Sequence, residues 1–543
     1  MSVLRKELFV TAKKKIVYSL LFGFVFSCCI IIGDVIYYGN SNSYLELAKA
    51  QMVFTLFKLF LTVLGSIALF WVILSINIKI KSTEIYTGRK AFLISWIGMV
   101  VCYLPALIAF LPGLLAYDTR WQTYQIYGIY PMTNHHPLLH TYLWKLFLWI
   151  GECCGSLELG IMFYSIFQLI VMTVIFTLFV SWFGKKLHSK RVQIITYLFF
   201  SLNPTFHLLV IQSDKDVLFG GCMLLWSCYL VDALLDRRFS IKLIIMTILG
   251  CAFRHNGFYA ILVMAVLLLA VCCLAKKLRR KYIKMVWSLL IGAAIYFILI
   301  QSCLGIMGIQ GASVKEMLSV PCSQLASVYL DELYVSPNRT LSEEDQALIE
   351  EYIPTCEAYN LRLADFVKGN FNEVAFKENP KEFIGLWFRG LVNYPVRYVY
   401  SYAQLTVYYW CPSALDFPDV YSGETYIQTE RRDPWDIIIV EDWNVWKEMR
   451  NFYHSIGDFS NPIMRLPIVS FMFSLSFPLF MLMFCICKIL YHKEYKKVVL
   501  ILFPMIYMCT LFVGPVCNFR YIFPILLQMP LLFAILFIKE KRG

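Results

Sequence analysis

Between Pro112 and His140 the chain reads PGLLAYDTRWQTYQIYGIYPMTNHHPLLH, and residues able to do chemistry are dense here. Asp118 is the first acidic residue beyond a long apolar run, and His135, His136 and Pro137 follow within the next twenty positions. Three other polar turns interrupt apolar runs and each carries a cation: Gln212-Ser213-Asp214-Lys215-Asp216, Arg254-His255-Asn256-Gly257 and Asn518-Phe519-Arg520-Tyr521. This set suits attack of a hydroxyl on a sugar carbon. Asp118 takes the hydroxyl proton, and Lys215, Arg254 and Arg520 stabilise charge developing on a lipid-phosphate leaving group. Tyr117, Arg120, His135, His136, His255, Asn256 and Tyr521 are the substrate-facing candidates, and Tyr117, Trp121, Tyr124 and Tyr127 offer rings for a sugar face. No metal site is assigned. A divalent metal on Asp118 with His135 or His136 is the open alternative, and no CxxC pair with metal spacing occurs.

What must position these residues is a membrane bundle. The apolar fraction is 59% with mean hydropathy +0.64, which excludes an ordinary globular domain. The net charge of +13 then reads as cytoplasmic loops rich in Lys and Arg rather than a nucleic-acid surface. Apolar stretches of crossing length are expected at 16–38, 53–78, 91–112, 158–183, 192–211, 216–233, 239–253, 257–275, 285–305, 463–487, 498–516 and 521–538, twelve in all. The first reads as an uncleaved span. Loops on one side hold twenty-nine basic residues, against six in the short loops on the other. The chain therefore reads as a multi-pass plasma-membrane protein, with both termini cytoplasmic and the polar turns extracellular. That count requires 136–151 to lie along the interface rather than cross.

The expected fold is all-α and polytopic with about twelve transmembrane helices. It divides into an N-terminal hairpin (1–90), a core (91–305) with its catalytic outer loop at 113–157, a mostly helical outer loop domain (306–462) and C-terminal spans (463–543). The outer loop carries 23 acidic and 12 basic residues, with a helix-start signal at Ser342-Glu343-Glu344-Asp345. Its aromatic stretch 383–410 reads as interfacial, with a pair of crossings as the alternative. Cys322 and Cys356 can pair if this loop is extracellular.

Plainer roles exist for each residue. Asp118 can cap a helix, either His can sit solvated in a turn, and a lone Lys or Arg at a helix end can bind lipid headgroups. Asp214 and Asp216 can simply neutralise Lys215, and the Tyr/Trp series can be an interfacial belt. The convergence of three cationic turns and an acidic loop on one face favours a site.

Residues 112–139 resemble the first outer loop of GT-C-type membrane glycosyltransferases, the superfamily of protein O-mannosyltransferases and lipid A aminoarabinose transferases. Asp118 matches the catalytic acid, and His136-Pro137-Leu138 matches the segment leading into a juxtamembrane helix, with one Pro missing. The similarity is greatest to an uncharacterised Gram-positive branch, the DUF6020 type, through the stretches at 117–119, 135–137, 215–219, 254–257 and 519–524. The resemblance implies a polyprenyl-phosphate-linked sugar donor, a cell-envelope glycan, lipid or protein as acceptor, an outer-face site and inversion at the anomeric carbon. Two features depart from the superfamily: Thr119 stands where a second acid is common, and two or three spans precede the loop where one is usual. A polymerase or ligase of lipid-linked glycans, or a flippase or transporter, is the alternative. The transporter class would call for charged residues near the bilayer midplane and inverted repeats.

Overall fold

The computed structural model describes residues 2–38, 52–335, 340–414, 443–457 and 461–538. The expected outer lysine Lys49 lies outside them. The architecture is helical. Among the described residues the only strands are two dipeptides, β1 (Leu114–Leu115) and β2 (Gln212–Ser213).

The chain opens with helices α1 (Ser2–Tyr38), α2 (Met52–Ser75) and α3 (Gly88–Ala109). A short helix α4 (Tyr117–Ile126) and α5 (Leu138–Cys153) follow, then α6 (Leu157–Leu187). Next come α7 (Lys190–Ser201), α8 (Pro204–Ile211), α9 (Lys215–Asp236), α10 (Ile241–Phe253), α11 (His255–Leu274) and α12 (Lys276–Met307). Among the described residues seven helices are long and apolar enough to cross a membrane, in α1, α2, α3, α6, α9, α11 and α12. Leu, Ile, Val and Phe cover them all round, so faces turned away from the bundle stay apolar, as lipid requires.

The remaining expected spans are broken or short. The stretch 192–211 is the pair α7–α8, bent by 56° where Asn203 caps α8 and Pro204 starts it. After the large loop come α20 (Pro467–Met472), α21 (Phe477–His492), α22 (Val498–Leu511), α23 (Phe519–Leu526) and α24 (Met529–Phe537), and α23–α24 is bent by 51° between Pro524 and Pro530. Counting each bent pair as one span raises the number to nine. The expected spans at 239–253, 463–487 and 498–516 hold helices of 13, 16 and 14 residues (α10, α21, α22). At about 1.5 Å per residue each is shorter than a hydrocarbon core of about 30 Å. Hydropathy sees the apolar run and not where the helix stops.

The stretch 136–151 forms α5, a helix of 16 residues that lies close against α6. A Cβ on Gly160 of α6 would stand 2.6 Å from the Phe147 carbonyl, so the two backbones approach as closely as glycine allows.

The large loop folds into α13 (Ser319–Leu330), α14 (Glu343–Tyr352), α15 (Asp365–Lys368), α16 (Glu373–Glu378), α17 (Pro380–Asn393), α18 (Pro395–Trp410) and α19 (Lys447–Gly457). Ser342 caps α14 by accepting from the Asp345 amide at 3.1 Å, so the expected helix start is where the chain begins one. The loop has its own apolar core, including Leu325, Ile349, Tyr352, Phe383 and Tyr398. Cys322 and Cys356 lie in that core as free thiols. The stretch 383–410 is two helices of 14 and 16 residues broken at Tyr394-Pro395.

Candidate functional site

Asp118 is placed by two devices. Gly113, at φ +146°, turns the chain where a side chain would meet Ile161 and Ser165. β1 then pairs in parallel with β2, with Leu114 opposite Gln212 and Leu115 opposite Ser213. The Ser213 hydroxyl donates to the Leu114 carbonyl at 3.1 Å, and the Thr119 hydroxyl donates to the Ser213 carbonyl. The start of α4 is thereby fixed beside the start of α9. Ala116 is the N-cap of α4, and Asp118 sits in its first turn with its carboxylate directed away from any cap. The capping role for Asp118 is not what the structure shows.

Instead the Asp118 carboxylate pairs with Lys215 and accepts a two-pronged contact from Arg520, Nη1 to Oδ2 at 2.8 Å and Nη2 to Oδ1 at 3.3 Å. Arg520 Nη1 also reaches Asp214 Oδ2 at 2.8 Å, and its Nε lies 3.8 Å from Asp216 Oδ2. Arg254 pairs with Asp216 and lies over the Tyr521 ring at 4.5 Å. The structure therefore brings all three cationic turns onto one cluster with Asp118. Asp214 and Asp216 do not serve Lys215; they hold Arg520 and Arg254, from 306 and 38 residues away.

Burial divides this cluster into two layers. Asp214 and Asp216 are fully buried and the side chains of Arg520 and Arg254 nearly so, whereas Asp118 and Lys215 keep 16% and 11% of their side-chain surface. The inner layer is a set of mutually neutralising charges in a low-dielectric setting, and Asp118, with the Lys215 it holds, is the most exposed part of the cluster. Burial raises the Asp118 pKa, but Arg520 and Lys215 outweigh it and hold the carboxyl well below its usual range.

Four helix starts meet here. Asp118 lies in the first turn of α4, and Asp214 caps α9 by accepting from the Asp216 amide at 2.9 Å. Arg254 is the N-cap residue of α11, and Asn518 caps α23 through the Arg520 amide at 3.0 Å. Three cations and three carboxylates cancel formally, and each helix N-terminus adds a partial positive charge.

The second element, 133–136, is clasped from two sides. His255 Nε2 lies 3.0 Å from the Asn134 carbonyl and its Nδ1 3.4 Å from the Tyr296 hydroxyl. On the other side the Asn134 amide donates to the Gln310 carbonyl at 2.8 Å, and Thr133 bridges to Gln310. His135 is exposed, with Nδ1 3.6 Å from Glu316. His136 is buried beside Asp118, and burial depresses its pKa well below the usual histidine value. Tyr117 is exposed under Arg120 at 5.8 Å, Asn256 is half-buried in the first turn of α11, and the Tyr521 hydroxyl accepts from Arg520 at 3.2 Å. Trp121 packs on Tyr124 and Tyr130 at 5.7 and 5.2 Å, forming an aromatic rim next to Asp118.

Sequence reasoning missed the buried relay below the site. His140 Nδ1 meets the Gln122 side chain at 2.9 Å and Nε2 meets the Tyr164 hydroxyl at 2.8 Å. Tyr164 donates to Gln168 at 2.9 Å, whose amide reaches the Val210 and Gln212 carbonyls at 2.8 and 2.6 Å. The relay ties the Asp118 helix to the strand leading into Lys215. Burial drives the His140 pKa down to about 3. Its signal was Gln168 and Tyr164 one turn apart inside an otherwise apolar span. Among the described residues no three His, Cys, Asp or Glu side chains gather to hold a metal, and both Asp118 oxygens are taken by cations.

Residues 129–543 match a family described as a family of unknown function (DUF6020). The match takes in His135-His136-Pro137 and the Lys215, Arg254 and Arg520 turns, while Asp118 lies ahead of it. No curated protein and no solved structure matches the chain. With more than half of its length matched, the chain belongs to the DUF6020 family.

Proposed function

We propose that the protein is a membrane glycosyltransferase of GT-C type, moving a sugar from a polyprenyl-phosphate-linked donor to a cell-envelope acceptor. One observation carries this: a partly accessible carboxylate, Asp118, is held between Lys215 and Arg520 where four helix starts converge. The N-termini and the outer cations suit a phosphate, and the carboxylate beside them suits a hydroxyl. In the step, the acceptor oxygen forms a bond to the anomeric carbon and the bond from that carbon to the phosphate oxygen breaks. The electron pair leaves on the lipid phosphate and the hydroxyl proton passes to Asp118. Lys215 and the Nη1–Nη2 edge of Arg520, which holds Asp118, receive the departing charge, while Arg254, committed to Asp216, supports them from below. His135, His136, Tyr117, Arg120, Asn256 and Tyr521 surround the sugar and acceptor. His255 positions the His-His segment through the Asn134 carbonyl.

The charge asymmetry, twenty-nine basic residues against six, supports a reading with both termini cytoplasmic and this site on the outer face of the plasma membrane, open to donor from the outer leaflet. The test uses purified protein with a panel of synthetic polyprenyl-phosphate sugars and acceptors. Acceptor-dependent release of polyprenyl phosphate, lost in Lys215→Ala, is expected. Donor binding without turnover across the panel would replace the reading with flipping or transport of lipid-linked glycans.

A further inference from the structure

Each cation of the cluster already has a carboxylate, yet the outer pair is the part a ligand reaches. A phosphate arriving at Lys215 and Arg520 therefore meets an occupied site. It cannot easily add to the cluster, because an extra anion beside Asp118 would face it at close range in a low dielectric. Asp214 and Asp216 cannot move aside, being fully buried on Arg520 and Arg254 and tied into the first turn of α9. Asp118 can: it lies in the first turn of a short helix, keeps some exposure and, among the described residues, its carboxylate is hydrogen-bonded to the side chains of these two cations.

We propose that Asp118 is the resting site's own anion, and that a lipid-linked phosphate binds by taking over from it Lys215 and the Nη1–Nη2 edge of Arg520. The proposal rests on the transferase reading and adds an order to it. With the cations on Asp118 the carboxylate is a weak base; once the phosphate takes them, Asp118 has lost the charges that lowered its basicity and is a stronger one. Donor binding thus switches on the residue that takes the acceptor's proton, and a hydroxyl entering an empty site meets a base that is turned off.

The exchange has a sign that a simple anion site lacks: deleting the carboxylate strengthens phosphate binding. The protein is reconstituted in neutral phosphatidylcholine nanodiscs, and binding of farnesyl phosphate, farnesol and inorganic phosphate is titrated to wild type, Asp118→Asn and Lys215→Ala. Farnesyl phosphate is expected to bind Asp118→Asn about tenfold or more tightly than wild type, since an adjacent opposite charge is worth one or more tenfold steps. Lys215→Ala loses the preference for farnesyl phosphate over farnesol. Inorganic phosphate showing the same order assigns the gain to the phosphate, and a gain confined to farnesyl phosphate requires the lipid tail as well. Equal or weaker binding by Asp118→Asn overturns the exchange while leaving an anion site in place. If no form prefers farnesyl phosphate to farnesol, the exchange and the donor site fall together. A check that needs no variant is the infrared difference spectrum of wild type on adding farnesyl phosphate. The exchange requires a change in a carboxylate stretching band, and an unchanged carboxylate region contradicts it.

Discussion

Arg254 is a cation beside the proposed donor phosphate, yet its geometry assigns it to the protein. Its Nη1 pairs with Asp216, whose carboxylate is fully buried, and its guanidinium lies over Tyr521 at 4.5 Å. Removing one partner of a buried pair strands the other charge at a cost of about 3–5 kcal/mol, whereas replacing both by apolar groups can be near neutral. Asp216 also faces Arg520 Nε at 3.8 Å, so Asp216→Asn leaves two cations undercompensated where Arg254→Met leaves one acid. Both single variants are expected to destabilise the protein, Asp216→Asn more. The double variant Arg254→Met/Asp216→Asn should fall short of the sum by about 2 kcal/mol, within the range for residues in contact. Unfolding by dodecyl sulfate in mixed micelles, followed by tryptophan fluorescence, reads all four proteins. Additive losses, or a near-neutral Arg254→Met, would refute the reasoning, because the guanidinium would then be available to a ligand.

Other consequences follow from the relay and the clasp. His140→Phe leaves Gln122 and Tyr164 without their ring partner and should cost about 1–3 kcal/mol for each buried group left unpaired. The pKa near 3 gives a second readout. Wild-type His140 stays neutral in the fold while the unfolded chain takes up a proton below about 6.5, so stability falls as pH drops through that window by about 1.4 kcal/mol per unit per proton. The variant should lose one proton's worth of that slope, and an unchanged slope in denaturant titrations from pH 7 to 4 would contradict the assignment. Gly160→Leu should push α5 off α6 and lower the melting temperature, because the added side chain meets the Phe147 carbonyl, with Gly305→Leu, where a Cβ meets open space, as the neutral control. Lys368→Met strands Glu316 and Asp365, which the buried ammonium holds at 2.5 and 3.0 Å, and should expose the 310–316 connection to proteolysis.

Much of this was legible in the sequence because charge against the positive-inside bias is informative wherever it occurs. Lys215, Arg254 and Arg520 stand out by that test; Lys215 and Arg520 meet at Asp118, and Arg254 joins the same cluster through Asp216. The seven long spans are legible from length and hydropathy. Which carboxylate serves which cation was not: Asp214 looks like Lys215's neighbour, but a side chain at the N-cap and one at the next position diverge, and Arg520 comes in from the end of the chain. The bends at Asn203-Pro204 and between Pro524 and Pro530 were hidden because a hydropathy window averages across a single proline. His140 was hidden for another reason: a histidine next to a polar loop looks solvated until the fold shows Gln122 and Tyr164 enclosing it.

The most direct measurement of the central claim compares wild type with Asp118→Asn on a polyprenyl-phosphate sugar that wild type turns over, following release of the lipid phosphate at saturating donor. The isosteric variant keeps the shape of the site while losing the base. Turnover should fall by about 100-fold or more, as for loss of a general base, with donor affinity increased. Asp118→Asn turning over at the wild-type rate would contradict the account, and the proton acceptor would have to be sought elsewhere.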